Sequence, residues 1–180
     1  MVRRKRNWWR IVAIVLMLVV LVAWLAVEAL KAYGVVYCET ASIPKGIYWP
    51  TRRPPEKGDY VMFDMAGDAD FDMAFERRYV RPGRYLLKRV EALGGDFVTV
   101  GVSGVSVNGQ TLPKSLPMAF DGRGREMPAL VLEGYELKPG EMLIMSGFTE
   151  RSFDARYFGP KSASRAKWAV RPLWVWGDDS

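Results

Sequence analysis

The chain has 180 residues, 49% of them hydrophobic, which is the size of one globular domain plus an appendage. Its formal net charge is +6, but Arg3, Arg4, Lys5, Arg6 and Arg10 supply five of the 26 basic residues, and residues 11–180 carry 21 basic against 20 acidic groups. This local basicity argues against a nucleic-acid-binding face, and with no histidine and one cysteine the chain lacks the usual zinc ligands and cannot close an internal disulfide.

Residues 11–27 carry no charge and are extended on either side by Trp8, Trp9, Ala29 and Leu30. The stretch predicts a transmembrane helix over residues 11–30, long enough for about 30 Å of hydrocarbon. The positive charges before it predict that residues 1–10 form a basic cytoplasmic tail and that the body of the chain lies outside, with Trp8 and Trp9 at the interface. In a bacterium this is a single-pass inner-membrane protein with its domain on the periplasmic side. A cleaved secretory signal is the alternative, but the apolar run exceeds the usual h-region of about 7–15 residues.

Beyond the span, residues 36–176 read as an extracytoplasmic domain. Cys38 suits a small buried position. Residues 49–58 are rich in proline and charge and predict an exposed loop, followed by a short strand at residues 59–63. Asp68, Asp70 and Asp72 alternate as in a calcium loop, but Met73 and Tyr79 stand where such a loop needs Gly and Glu, so a solvated turn and helix start are expected. A helical segment follows to Tyr79. Residues 84–90 predict a strand, with a tight turn at Leu93-Gly-Gly-Asp96 and residues 97–100 as its partner. Asn108-Gly109 predicts a hairpin turn after Val105-Ser-Val107. Pro139-Gly140 introduces a strand at residues 142–145, and two further strands are expected at 168–170 and 173–176. Short strands between Gly and Pro turns make the domain mainly β. Trp168, Trp174 and Trp176 suit either a bilayer surface or the core, depending on their exposure.

Two residues carry the chemistry. Ser42, soon after the span, is a candidate nucleophile that no histidine can serve. Lys88 sits in an apolar strand whose alternation puts it on one face with Leu86 and Val90. Burial disfavours the ammonium, and a lysine brought toward neutrality can take a proton from a serine hydroxyl. From the strand alone, a lysine snorkelling to solvent is the other reading.

Ser42-Ile-Pro-Lys-Gly-Ile-Tyr48 after a single span, Gly58-Asp-Tyr-Val-Met-Phe63, Leu87-Lys-Arg-Val90 with Gly94-Gly-Asp96, and Ser152-Phe-Asp-Ala-Arg-Tyr-Phe-Gly-Pro160 occur in the order seen in type I signal peptidases. The chain resembles these membrane-bound serine proteases with a Ser/Lys dyad, and most of all their conjugative-transfer branch, the TraF-type peptidases. The resemblance implies a signal-peptidase-like catalytic domain of short antiparallel strands with a minor helix. It makes Ser42 the nucleophile and Lys88 the general base, with Thr40 supplying an oxyanion-hole hydroxyl beside the Ser42 N–H. It also implies that Ser152 orients Lys88 and that Asp154 and Arg156 form a supporting ion pair.

The family's Gly-Asp-Asn-Arg sequence is absent, with Ser146-Gly-Phe-Thr149 roughly in its place. The Asp-Ser-Arg triplet is Asp154-Ala-Arg156, and Leu-Pro-Gly-Asp is Leu93-Gly-Gly-Asp96. These departures point to the transfer or pilin-processing branch. The implied partners are precursor proteins with small residues before the cut, bound as an added strand, and membrane lipid; neither cofactor nor nucleic acid is implied. Acyl-enzyme release by water and by an amine both stay open. The alternative function is a non-catalytic membrane-anchored scaffold of a conjugation or secretion apparatus. A self-cleaving repressor with the same dyad is disfavoured by the span.

Overall fold

Residues 8–40 and 42–176 are described in a computed structural model of the chain. The expected basic tail over residues 1–10 therefore lies outside the described residues except for 8–10. By its contacts the chain divides between Val36 and Tyr37.

The first unit holds helix α1, Trp8–Tyr33. At 1.5 Å per residue its 26 residues reach about 39 Å, and none of its side chains is buried. A helix that is uncharged over residues 11–27 and has no buried residue is suited to lipid. Its end is set by Gly34, whose φ of 103° suits a residue without Cβ; the Gly34 N–H bonds back to Lys31 O and the Val35 N–H to Leu30 O.

The second unit is mainly β, as expected. Strands β1 (Val36–Cys38), β2 (Gly46–Pro50), β3 (Tyr60–Phe63), β4 (Leu86–Leu93), β9 (Glu141–Met145), β10 (Lys161–Ser162) and β11 (Ala166–Val175) form a seven-stranded sheet in the order β1-β2-β11-β3-β4-β9-β10. Strands β5 (Phe97–Gly101), β6 (Gly104–Val107), β7 (Gln110–Thr111) and β8 (Leu132–Glu136) form a second sheet, ordered β7-β6-β5-β8. The core runs through both, from Val61, Phe63, Val90 and Ile144 in the first sheet to Val98, Val100 and Val105 in the second. The helices are minor: α2 (Asp72–Glu76) and α3 (Ala155–Phe158).

Several local expectations are corrected. Residues 97–100 do not pair with the strand that contains Lys88, because β4 lies between β3 and β9 while β5 pairs with β6 and β8. The Gly94-Gly95 turn is a corner between sheets. The Gly95 N–H donates to Leu137 O, and a Cβ on Gly94 would come within 2.8 Å of Lys138 O, so the returning chain fills the space where a hairpin partner would start. Trp49 and Pro50, read as loop, belong to β2 and pair with Arg171 and Val170. The two strands expected at 168–170 and 173–176 are one strand, β11, whose register shifts between Pro172 and Trp174. Proline interrupts the sequence pattern, but a local irregularity absorbs its missing donor.

The Asp68 region is a turn and helix start: the Asp68 side chain caps a 3-10 turn over Ala69–Phe71 that leads into α2. Asp68 and Asp70 also pair with Lys161, whose ammonium lies over the rings of Phe71 and Phe158. Exposure separates the tryptophans: Trp168 is half-buried, whereas Trp174 and Trp176 are exposed, Trp174 at 69%.

Candidate active site

Strand β4 alternates buried and half-buried along its whole length, and Leu86, Lys88 and Val90 share the buried face. Lys88 is 2% exposed, opposite the fully buried Val61 of β3. Snorkelling is excluded at that depth. Burial pulls its pKa down from 10.5 to about 8; the Asp154 carboxylate opposes that shift, the Arg156 guanidinium adds to it, and Cys38 weakly opposes it. Its Nζ donates to Ser152 Oγ at 2.8 Å. A substantial fraction of such an amine is neutral near physiological pH, while a hydroxyl partner fixes its direction.

Ser152 owes its place to the ion pair that follows it. Asp154 and Arg156 are almost completely buried and joined by two hydrogen bonds, Nε to Oδ1 at 2.7 Å and a terminal guanidinium nitrogen to Oδ2 at 3.0 Å. The guanidinium also reaches the carbonyls of Leu116, Glu150, Ser146 and Thr149. Asp154 in turn accepts the N–H of Arg156, capping α3, and the N–H of Ser146 at 3.1 Å. A buried ion pair is stable only when its remaining donors and acceptors are satisfied, and here that condition shapes the whole 146–156 loop.

Ser42 lies before β2, in the half-buried segment that opens the Ser-x-Pro-x-Gly-x-Tyr motif. The motif residues have local tasks. Ile43 is fully buried, and the equally buried Tyr48 donates its hydroxyl to Pro44 O at 2.6 Å. The Trp176 N–H donates to Lys45 O. Gly46 lets β2 approach β11 closely, since a Cβ there would stand 2.4 Å from Trp174 O. The Ser42 carbonyl accepts a 2.6 Å hydrogen bond from Ser146 Oγ.

Lys88 is thus joined to Ser152, and Asp154 to Arg156. Thr40, exposed, is in contact with buried Cys38, Sγ to Oγ1 3.5 Å. Among the described residues no hydrogen bond joins the Ser42 hydroxyl to Lys88, whose amine is turned to Ser152. Catalytic hydrogen bonds often shorten only when substrate binds. Sequence reasoning gave Ser146 no role; its only signal was that a hydroxyl residue begins the segment that departs from the family pattern. Among the described residues no cluster of His, Cys, Asp and Glu could hold a metal ion.

A family model described as signal peptidase, peptidase S26, matches residues 5–171. Two proteins of Escherichia coli, each named plasmid transfer protein TraF, are similar to the chain. One is 43% identical over 143 residues, covering 76% of this chain and 80% of its own; the other is 41% identical over 143 residues, covering 76% and 81%. Conjugal transfer protein TraF of Agrobacterium fabrum (strain C58 / ATCC 33970) is 32% identical over 144 residues, covering 76% and 80%. A solved signal peptidase I from Enterococcus faecalis V583 overlaps 66% of this chain and 98% of its own at a TM-score of 0.39 and 18% identity.

Proposed function

The chain belongs to the signal peptidase family, peptidase S26, and on that premise we propose that it is a membrane-anchored serine endopeptidase removing N-terminal signal sequences from exported or pilin-like precursors. The observation that carries this reading is Lys88: a lysine 2% exposed, with a pKa near 8 and held by Ser152, in a chain without histidine.

Ser42 Oγ attacks the carbonyl of the residue before the cut, forming the new C–O bond while Lys88 takes the hydroxyl proton. The Ser42 N–H and the Thr40 hydroxyl face the developing oxyanion. Lys88 returns the proton to the leaving amine as the C–N bond breaks, and a water or an amine then releases the acyl group from Ser42. Ser152 holds the lysine between these transfers. The Asp154–Arg156 pair supports the loop without touching substrate.

Helix α1 anchors the enzyme, with the basic N-terminus cytoplasmic and the β domain on the periplasmic side of the inner membrane. The exposed end of β11, with Leu173, Trp174 and Val175, and the adjoining Trp176, which contacts Tyr37, suits the outer leaflet. Relatives named for plasmid and conjugal transfer support a role in that setting.

The test is cleavage of a precursor with an Ala-x-Ala site by detergent-solubilised full-length protein, comparing wild type, Ser42→Ala and Lys88→Ala from about pH 6 to 10. Loss in both variants is expected, with wild-type rates rising through a pKa well below that of free lysine. Cleavage by Ser42→Ala at the wild-type rate would sink the mechanism, whereas the scaffold is the reading that expects no cleavage by any of the three.

A further inference from the structure

We propose that Ser146 is a positioning residue for Ser42, holding the nucleophile's backbone to the same buried ion pair that supports the Lys88 side of the site. The inference rests on the Ser/Lys peptidase reading and adds to it a residue that reads from sequence only as a departure from the family pattern.

Ser146 follows β9, and Arg89 of β4 pairs with Met145, so the chain leaves the sheet beside Lys88. It is 1% exposed and held at three points. Its N–H donates to Asp154 Oδ2 at 3.1 Å, its carbonyl accepts from Arg156 at 3.5 Å, and its hydroxyl donates to the Ser42 carbonyl at 2.6 Å, across 104 residues of chain. The direction of that last bond is fixed. The Phe148 N–H occupies one lone pair of the hydroxyl, and a carbonyl can only accept, so the single Ser146 Oγ proton points to Ser42.

The Ser42 segment needs such a hold. It precedes β2, so no sheet ladder fixes it. Tyr48 captures Pro44 O and the Trp176 N–H captures Lys45 O, but both act on the β2 side of the serine. Among the described residues, the hydrogen bond to the Ser42 backbone itself is the one from Ser146. Holding the Ser42 carbonyl anchors the peptide plane that follows Cα, and so keeps Cα and Cβ, which carry Oγ, in place relative to the loop that bears Ser152. A displacement of about 1 Å at a reacting atom can cost on the order of a hundredfold in rate. Among the described residues Ser146 makes no hydrogen bond to Lys88 or to the Ser42 hydroxyl, so its own hydroxyl acts through the Ser42 backbone.

The experiment compares full-length wild type, Ser42→Ala, Ser146→Ala and Ser146→Thr in detergent, measuring kcat and KM for an Ala-x-Ala precursor, the pH profile, and amide hydrogen exchange. In Ser146→Ala, kcat is expected to fall about tenfold or more with KM within about threefold. The profile should still rise near pH 8, because Ser152 and Asp154 are untouched. Exchange should quicken over residues 42–45 and not over β9 or α3. Ser146→Thr keeps the hydroxyl and should restore kcat to within a few fold. Activity lost in Ser42→Ala but unchanged in Ser146→Ala overturns this inference alone. So does exchange that quickens equally throughout β9 and α3, which marks general loosening. Activity surviving in Ser42→Ala removes the Ser42/Lys88 mechanism, and with it the nucleophile that Ser146 would position.

Discussion

Lys88 Nζ donates to Ser152 Oγ at 2.8 Å, joining two buried residues 64 apart in the chain. The ammonium gains more from that acceptor than the neutral amine does. Ser152→Ala should therefore lower the lysine pKa below about 8 and shift the rising limb of the pH–rate profile to lower pH. It should also cut kcat by about tenfold or more, because the amine loses its direction. Steady-state kinetics across pH decide it: an unshifted limb with full kcat would remove Ser152 from the site.

The low pKa of Lys88 also sets a stability profile. The folded chain binds this proton more weakly than the unfolded one, so between about pH 8 and 10.5 the unfolded state holds more protons and stability rises with pH. Below that window the full cost of burying the ammonium is present. Lys88→Met should be more stable than wild type at pH 7 by on the order of 1–3 kcal/mol, an advantage that fades by about pH 10.5. Denaturant unfolding at both pH values would measure it, and a variant less stable at pH 7 would contradict the burial cost.

Asp154→Asn leaves the Arg156 guanidinium buried without its counter-ion. A loss of about 3–5 kcal/mol is expected, whereas Asp154→Leu combined with Arg156→Met should cost less than Asp154→Asn alone. Because Asp154 raises the Lys88 pKa, Asp154→Asn should also move any residual activity to lower pH. Unfolding free energies of the three proteins test the first claim, and the pH profile tests the second.

Gly46→Ala would place a Cβ 2.4 Å from the Trp174 carbonyl oxygen, in backbone that cannot give way without parting β2 from β11. The expected cost is about 1–3 kcal/mol. Tyr48→Phe removes the bond to Pro44 O and should cost about 1 kcal/mol. Equal effects of the two changes in urea unfolding would contradict the difference between a backbone collision and one lost hydrogen bond.

Local pattern carried much of the fold. The apolar run gives α1, period-two alternation places Lys88 with Leu86 and Val90, and Asn108-Gly109 marks the turn from β6 to β7. These features are legible because each depends on neighbours within a few residues. Sheet membership was not legible. Residues 97–100 follow a two-glycine turn as a hairpin partner would, but the corner at Gly94 is set by Leu137 and Lys138, about forty residues later.

By itself the sequence determined the materials: an apolar span beside a basic N-terminus, a serine after it, and a lysine on the buried face of a strand in a chain without histidine. Only the tertiary structure decided what surrounds them. The depth that lowers the Lys88 pKa comes from β3 and the core, and its hydrogen bond comes from Ser152 in a loop beyond β9. The hold on the Ser42 carbonyl comes from Ser146, 104 residues away. Burial, electrostatic field and long-range hydrogen bonds exist only once the chain has closed on itself, and for that reason no reading of adjacent residues contains them.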